Sequence, residues 1–226
     1  MNKYSVIFFD LDNTLLDFYK SEKTAIRTVL EMHSLPATDE VVKLYSEINR
    51  SYWEAFERGD IKREEIFEGR FKTLLEHLQL QGDTAAIAND YFECLAAGHD
   101  LMDGATEILA WLKAKGISIY ATTNGIARTQ YRRIKESGLE PFFDGVFISE
   151  EVGSQKPERE YFDYVMKNIP NVKRKEILVI GDSMSSDILG GINAGLDTCW
   201  LAPWEEQAKY PCNYRISNLY ELKNLF

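Results

Sequence analysis

The chain has 226 residues, of which 45% are hydrophobic and 12% aromatic, enough for a packed core that carries an inserted subdomain. Its 36 acidic and 26 basic side chains give a formal net charge of −10, which disfavours nucleic-acid polymers and anionic membranes as partners. The three cysteines are odd in number and widely spaced, so they predict reduced thiols. The first apolar run is too short for a signal peptide or a membrane span. We therefore expect a cytoplasmic protein.

The first part of the chain predicts one strand followed by a run of helices. Residues 4–9 form a short apolar segment rich in β-branched and aromatic side chains, which is typical of a buried parallel strand. From residue 21 to residue 95, apolar side chains recur at helical spacing in four successive stripes. Pro36, Gly59 and Gly82 separate these stripes as turns. The pattern predicts four amphipathic helices.

The rest of the chain alternates between helix and strand. Strands are predicted at residues 117–123, 145–148, 177–180, 198–201 and 214–216. Helices are predicted at residues 105–115, 126–137, 158–168, 186–194 and 219–225. Such alternation predicts a doubly wound parallel α/β sheet, a Rossmann-like core. We expect this core to comprise residues 1–16 and 99–226, with an inserted four-helix cap subdomain at residues 17–98.

Polar side chains follow four of the predicted strands at their carboxyl ends. Because ligands of open α/β sheets bind at that edge, these side chains are the candidate site. They come from distant parts of the chain, but the predicted fold brings them together. In strand order they are Asp10 and Asp12, then Thr123 and Asn124, then Lys156, and finally Asp182 and Asp187.

Three carboxylates at one edge would repel each other unless a cation lay among them. Asp10, Asp12 and Asp182 offer hard oxygen ligands, which suit magnesium (Mg2+) with coordination positions left for water and phosphate. Asp187 alone also fits the first turn of a helix, where a carboxylate is favourable. The sequence therefore predicts a magnesium site built on Asp10, Asp12 and Asp182.

The remaining side chains suit a phosphoryl group. An ionised carboxylate can attack phosphorus in line and form an acyl phosphate. Lys156 would supply a fixed positive charge, Thr123 a hydroxyl, and Asn124 an amide or backbone N–H. Taken singly, the Thr-Asn-Gly segment also fits an ordinary turn and the lysine a surface position. Together they provide the positioning and electrostatics that phosphoryl transfer requires.

These residues resemble the haloacid dehalogenase (HAD) superfamily through all four of its signature motifs: DLDNT at residues 10–14, TNG at 123–125, KP at 156–157, and GD at 181–182 with Asp187. The resemblance implies that Asp10 is the nucleophile and a metal ligand. It implies that Asp12 binds the metal through its carbonyl and serves as acid and then as base. Asp182 would be a metal ligand, Asp187 a support of the metal site, and Thr123, Asn124 and Lys156 the phosphate-binding residues.

A closer resemblance narrows the substrate. ISEEVGSQKPERE (residues 148–160) and GDSMSSDILGGINAGLDTCW (residues 181–200) are similar to the nucleotidase branch of the superfamily. That similarity implies that the substrate, a small phosphorylated metabolite, is a nucleoside 5′-monophosphate. The helical insert resembles the family's cap, which closes over the substrate. Phe18 lies nearest the first motif and is the candidate substrate-selecting residue, although cap aromatics also serve as core.

Other functions remain open. A sugar phosphomutase or a phosphoglycolate-type phosphatase would use the same core with another cap. A dehalogenase is disfavoured because it needs no metal and no acid at Asp12. A phospho-receiver domain also clusters acids, a threonine and a lysine around a phosphorylated aspartate, but it would leave the helical insert unexplained. The leading expectation is a magnesium-dependent phosphomonoesterase, and the oligomeric state is left open.

Overall fold

A computed structural model describes residues 3–226 and contains a six-stranded parallel sheet with helices on both faces. The strands are β1 Val6–Phe9, β2 Ser118–Thr123, β3 Gly145–Ile148, β4 Ile177–Gly181, β5 Asp197–Leu201 and β6 Tyr214–Ile216. Their order across the sheet is β3-β2-β1-β4-β5-β6, so the first strand lies in the middle. Central strands are buried on both faces, which explains why β1 is wholly apolar. The α/β class predicted from the sequence is confirmed.

The chain separates into two compact units, residues 1–17 with 100–226, and residues 18–99. The first unit contains the sheet, and its two main apolar clusters lie on opposite faces of it. One cluster centres on Ile7, Phe9 and Ile119, the other on Phe8 and Val179. Successive strand residues alternate between these faces, as the period of two requires. Its helices are α5 Ala105–Ala114, α6 Ala127–Glu136, α7 Ser149–Val152, α8 Arg159–Lys167 and α9 Leu189–Asn193.

The second unit consists of four helices with their own apolar core. These are α1 Phe18–Met32, α2 Asp39–Glu57, α3 Arg63–Leu78 and α4 Thr84–Ala96. Thr38 caps α2 and Asp83 caps α4, each accepting a hydrogen bond from a backbone N–H three residues later. Phe18 packs against the core of this unit. Inside the unit, the buried Glu22 carboxylate accepts a hydrogen bond from Asn49, which in turn accepts one from Arg70.

Two predicted helices of the first unit have a different form. The predicted helix at residues 186–194 begins as a π-helix, Met184–Ile188, before α9. The Ile188 N–H donates to the Ser183 carbonyl at 3.1 Å, an i to i+5 bond that widens the turn carrying Asp187. The predicted helix at 219–225 is a 3₁₀ helix, Leu219–Asn224. No helix in the described range 3–226 is long and apolar enough to cross a membrane.

Candidate active site

The site begins with the register of the central strands. Phe9 at the end of β1 pairs with Ile180 of β4 on one side and with Ala121 of β2 on the other. The Asp10 N–H then donates to the Ile180 carbonyl at 2.9 Å, so the chain leaves β1 alongside β4. Asp182 follows β4 directly. Parallel pairing therefore brings the residues after β1 and β4 to the same edge of the sheet, as the sequence predicts.

Three carboxylates and one ammonium group form the centre of this edge. Asp10, Asp182 and Asp187 each place one side-chain oxygen within 4.8 Å of an oxygen of the other two. The Lys156 Nζ donates to Asp10 Oδ1 at 2.7 Å and to Asp187 Oδ1 at 2.6 Å. It also donates to the Thr122 carbonyl at 2.8 Å. All three ammonium hydrogens thus have acceptors, which accounts for a lysine that is 1% exposed.

The electrostatics of this cluster oppose full ionisation of its carboxyl groups. Burial raises the pKa of Asp10 to about 7, and the neighbouring Asp187 and Asp12 add to this, while Lys156 acts in the opposite direction. Burial, with Asp10 and Asp187 nearby, also raises the pKa of Asp182 well above its ordinary value. Burial would lower the pKa of Lys156, but Asp10 and Asp187 outweigh it and the net shift is upward. The cluster therefore has more negative charge than one lysine neutralises.

This donor set fits a hard divalent cation. One carboxylate oxygen from each of three residues lies within 4.8 Å of the other two, and the single Lys156 ammonium group cannot neutralise three ionised carboxylates. Magnesium prefers such oxygen ligands and keeps water in its remaining positions. Asp12 is not among the converging side chains, so its part in metal binding would have to be through its backbone carbonyl. Asp10, Asp182 and Asp187 are the side chains suited to hold the ion.

We expect magnesium to stabilise the folded protein more at high pH than at low pH. A carboxyl whose pKa is raised by folding stabilises the fold below its unfolded pKa of about 4, and that contribution is lost as pH rises through about 7. An ion that binds the ionised carboxylates offsets the loss. Saturating Mg2+ should therefore raise the melting temperature by about 5–10 °C at about pH 8 and much less at about pH 5.5.

Thermal unfolding with Mg2+ or with a chelator at the two pH values measures this difference. Asp182→Asn removes one of the proposed ligands and should abolish most of the shift at high pH. The partly exposed Asp163, which pairs with Arg159 and Arg174, provides the matched change Asp163→Asn and should leave the shift intact. A magnesium shift of equal size at both pH values would contradict this description of the cluster.

The second and third motifs are joined by a pair of backbone contacts. The Asn124 amide donates to the Lys156 carbonyl at 2.8 Å, and the Lys156 N–H donates to the Asn124 Oδ1 at 2.9 Å. Asn124 thus orients the segment that carries the lysine. The sequence interpretation left open whether its side chain or its backbone would meet phosphate. With the side chain engaged by Lys156, we propose that the backbone N–H has this role.

Thr123 presents its hydroxyl in a defined direction. Its Oγ1 accepts a hydrogen bond from the Gly125 N–H at 3.0 Å and from the Gln130 Nε2 at 2.9 Å. Both lone pairs of the oxygen are used, so the hydroxyl has its hydrogen left to donate. Such a donor suits a phosphoryl oxygen. The side chain is 1% exposed and lies at the end of β2.

Several residues that support this site were given no role in the sequence analysis. Thr14 donates through its hydroxyl to Asp10 Oδ2 at 3.1 Å. The Trp200 indole N–H donates to the Asp182 carbonyl at 2.7 Å and holds the loop after β4. Gln130 and Arg133 contact Asp12. The threonine lies inside the first motif, and the tryptophan ends the quoted segment at residues 181–200, but its contact with the Asp182 carbonyl depends on the pairing of β4 with β5.

Gly181 allows the close approach of Asp187. A Cβ atom at position 181 would lie 2.1 Å from Asp187 Oδ2, closer than any side chain tolerates. The same carboxylate accepts a hydrogen bond from the Ser183 N–H at 3.1 Å. The glycine of the fourth motif is therefore required by packing. Asp187 was predicted only to support the metal site, but it is 1% exposed and belongs to the carboxylate cluster itself.

The structure thus brings seven of the eight predicted site residues to one region of the sheet unit. Asp10, Asp182, Asp187 and Lys156 form the cluster, and Asn124 contacts it through Lys156. Asp12 is near enough to raise the pKa of Asp10, and Asp12 and Thr123 share Gln130 as a hydrogen-bond donor. Phe18 belongs to the helical unit, where it packs against that unit's apolar core. Its role in selecting substrate stays a prediction.

Comparison with known proteins agrees with this geometry. The family model of haloacid dehalogenase-like hydrolases matches residues 4–195. The HAD-hydrolase YfnB of Bacillus subtilis is 42% identical over 90% of this chain and 86% of its own length. A crystal structure of YfnB, described as bound to magnesium, superposes with a TM-score of 0.93 at 40% identity and covers 99% of this chain and 98% of that one.

Two further relatives have names that state an activity. The pyrimidine 5′-nucleotidase PynA of Streptococcus pneumoniae is 35% identical over 88% of this chain and 84% of its own length. The pyrimidine 5′-nucleotidase YjjG of Escherichia coli is 34% identical over 99% of this chain and 98% of its own. The family match spans most of the chain, including every motif quoted above. This chain therefore belongs to the haloacid dehalogenase-like hydrolases.

Proposed function

We propose that this hydrolase is a magnesium-dependent phosphomonoesterase that acts through an aspartyl-phosphate on Asp10, with nucleoside 5′-monophosphates as its substrates. The observation that carries the proposal is the Asp10 carboxylate at the end of β1, 2.7 Å from the Lys156 ammonium and within 4.8 Å of the Asp182 and Asp187 oxygens. A nucleophile, a cation for phosphoryl oxygens and a set of metal ligands meet there. Bound magnesium would neutralise phosphoryl charge and orient it toward Asp10.

In the first step, an Asp10 oxygen attacks phosphorus and forms a new P–O bond while the bond to the leaving-group oxygen breaks. Lys156 and the Thr123 hydroxyl stabilise the charge on the phosphoryl oxygens. Asp12, two residues beyond the nucleophile, transfers its proton to the departing oxygen. The products of this step are the free alcohol and phosphorylated Asp10.

In the second step, water attacks the phosphorus of the acyl phosphate. Asp12, now deprotonated, takes a proton from that water, and the bond between Asp10 and phosphorus breaks. Inorganic phosphate leaves and Asp10 is again a carboxylate. Thr14, which donates to Asp10 Oδ2 at 3.1 Å, helps to keep the nucleophile in one orientation through the cycle.

The substrate class comes from the relatives. PynA and YjjG are named as pyrimidine 5′-nucleotidases, and both match across most of this chain. Another relative, at 30% identity over 89% of this chain and 82% of its own length, is the glyceraldehyde 3-phosphate phosphatase of Pyrococcus furiosus. The nucleotidases are the more similar, which supports nucleotides over short sugar phosphates. A receiver domain does not fit a chain of this hydrolase family.

Phosphate release from a panel of substrates tests the proposal. The panel contains purine and pyrimidine nucleoside 5′-monophosphates, triose and hexose phosphates, and phosphoglycolate, each with Mg2+ and with a chelator. We expect the pyrimidine nucleotides to have the highest kcat/KM and chelation to abolish turnover. A preference for a triose phosphate or phosphoglycolate would contradict the nucleotidase assignment, and undiminished turnover with the chelator would contradict the magnesium requirement.

A further inference from the structure

One face of α6 is directed at Asp12, although α6 contributes none of the predicted site residues. Gln130 and Arg133 are spaced i to i+3 on this helix and therefore lie on the same side of it. Both are polar, and both are almost inaccessible to solvent, with 1% of Gln130 and 0% of Arg133 exposed. Burying a guanidinium group costs free energy unless an acceptor compensates its charge, so the acceptor of Arg133 indicates why the arginine is there.

That partner is the Asp12 carboxylate, which is held at both oxygens. The Arg133 Nη1 donates to Asp12 Oδ1, and the Gln130 Nε2 donates to Asp12 Oδ2 at 2.8 Å. The Arg133 Nη1 also donates to the Gln130 Oε1 at 3.0 Å, so the two donors orient each other. The two donors approach the carboxylate from different directions and are hydrogen-bonded to each other. Together they restrict rotation of the Asp12 carboxylate about its side-chain bonds.

The same network reaches a second site residue. The Gln130 Nε2 donates to the Thr123 Oγ1 at 2.9 Å, the contact that leaves the threonine hydroxyl hydrogen to donate. Gly125 permits this approach, because a Cβ there would lie 2.7 Å from the Gln130 side chain. The Asp12 side chain is still 28% exposed, so it is held yet reachable. A purely structural ion pair would not require that exposure.

We propose that Gln130 and Arg133 are positioning residues that hold the Asp12 carboxylate in the orientation from which it exchanges a proton with the leaving group. The inference rests on the proposed phosphatase function and on Asp12 as its acid. It assigns a role to two residues outside the four motifs. Neither residue touches the reacting atoms: Arg133 acts through Asp12, and Gln130 acts through Asp12 and also holds Thr123.

The dependence on the leaving group tests this role. A nucleoside is a poor leaving group, so its departing oxygen needs a proton from Asp12. The 4-nitrophenolate anion is stable enough to leave without a proton. Because kcat/KM reports steps up to the release of the alcohol, loss of Asp12 positioning should affect the two substrates differently. We expect Arg133→Met to lower kcat/KM for the best nucleotide by about 10- to 100-fold and for 4-nitrophenyl phosphate by less than about 3-fold.

Three further variants complete the experiment. Asp12→Asn sets the largest leaving-group effect that loss of the acid can produce. Gln130→Leu should also lower kcat/KM more for the nucleotide than for 4-nitrophenyl phosphate, with a smaller difference because loss of the Thr123 contact affects both substrates. Arg133→Lys, which keeps a cationic donor, should restore part of the nucleotide activity. The adjacent Arg132, on the exposed side with Glu136 at 2.8 Å, provides Arg132→Met as the matched control with unchanged values.

The outcomes separate the inference from the function on which it rests. A wild-type protein that releases no phosphate from either substrate, or an Asp12→Asn variant without leaving-group selectivity, would overturn the proposed mechanism. If Asp12→Asn is selective but Arg133→Met and Gln130→Leu lower both substrates equally, the positioning role is wrong. An unchanged or raised nucleotide kcat/KM in Arg133→Met also overturns it. Retained activity toward 4-nitrophenyl phosphate shows that a variant is folded, and thermal unfolding shows this for a variant that loses activity toward both substrates.

Discussion

Asp10→Asn should lower kcat/KM for the best substrate by about 10⁴-fold or more, because the amide cannot attack phosphorus and form the acyl phosphate. The change keeps the shape of the side chain. Lys156 retains Asp187 Oδ1 at 2.6 Å and the Thr122 carbonyl at 2.8 Å as acceptors, so we expect the variant to fold. Steady-state phosphate release together with thermal unfolding measures both effects.

The matched control for this variant is Asp163→Asn, which makes the same chemical change at an exposed ion pair of the sheet unit. It should leave turnover within about twofold of the unchanged protein. Near-normal turnover by Asp10→Asn would remove the proposed nucleophile. A loss of turnover accompanied by an equally large loss of folded protein would mean that Asp10 acts chiefly in stability.

Lys156→Met should lower both activity and stability. The activity loss, about 10²- to 10³-fold in kcat/KM, follows from removing a fixed cation from phosphoryl oxygens. The stability loss, about 3–5 kcal/mol in the absence of metal, follows from leaving the Asp10 and Asp187 carboxylates without their ammonium partner in a buried position. Because the remaining carboxylates attract a divalent ion more strongly, Mg2+ should restore much of the stability but little of the activity.

Chemical denaturation with Mg2+ or chelator, beside initial rates, separates these two effects. Lys113→Met is the control, since Lys113 forms a partly exposed pair with Asp144 at 2.8 Å in the same unit. Exposed pairs contribute about 1 kcal/mol or less, so this variant should differ little from the unchanged protein. A stability loss for Lys156→Met no larger than for Lys113→Met would contradict the buried cluster as described.

Much of this site could be predicted because parallel strands impose it. Buried apolar runs identify β1, β2 and β4, and the rule that ligands lie beyond their carboxyl ends then selects Asp10, Thr123 and Asp182. Asp10 and Asp182 directly follow their strands, and Thr123 is the last residue of its strand. Local sequence therefore suffices to place them, provided that the strands are assigned correctly.

The residues that escaped prediction act through tertiary contacts. The sequence of α6 predicts an amphipathic helix, but helical period alone does not tell which polar residues face Asp12 and which face solvent. The i to i+3 spacing of Gln130 and Arg133 directly after the second motif is the signal that was available. The π-turn before α9 likewise depends on contacts, because Asp187 is drawn toward Lys156, a residue 31 positions away.

Phosphorylation of Asp10 during turnover is the most direct test of the central claim. The protein is mixed with excess nucleoside monophosphate and Mg2+, quenched in acid within the first turnovers, digested and examined by mass spectrometry. We predict one phosphoryl group on the peptide that contains Asp10, removable by hydroxylamine as an acyl phosphate is, and none in Asp10→Asn. Active enzyme whose Asp10 peptide stays unmodified, or a phosphoryl group on another residue, would contradict the account.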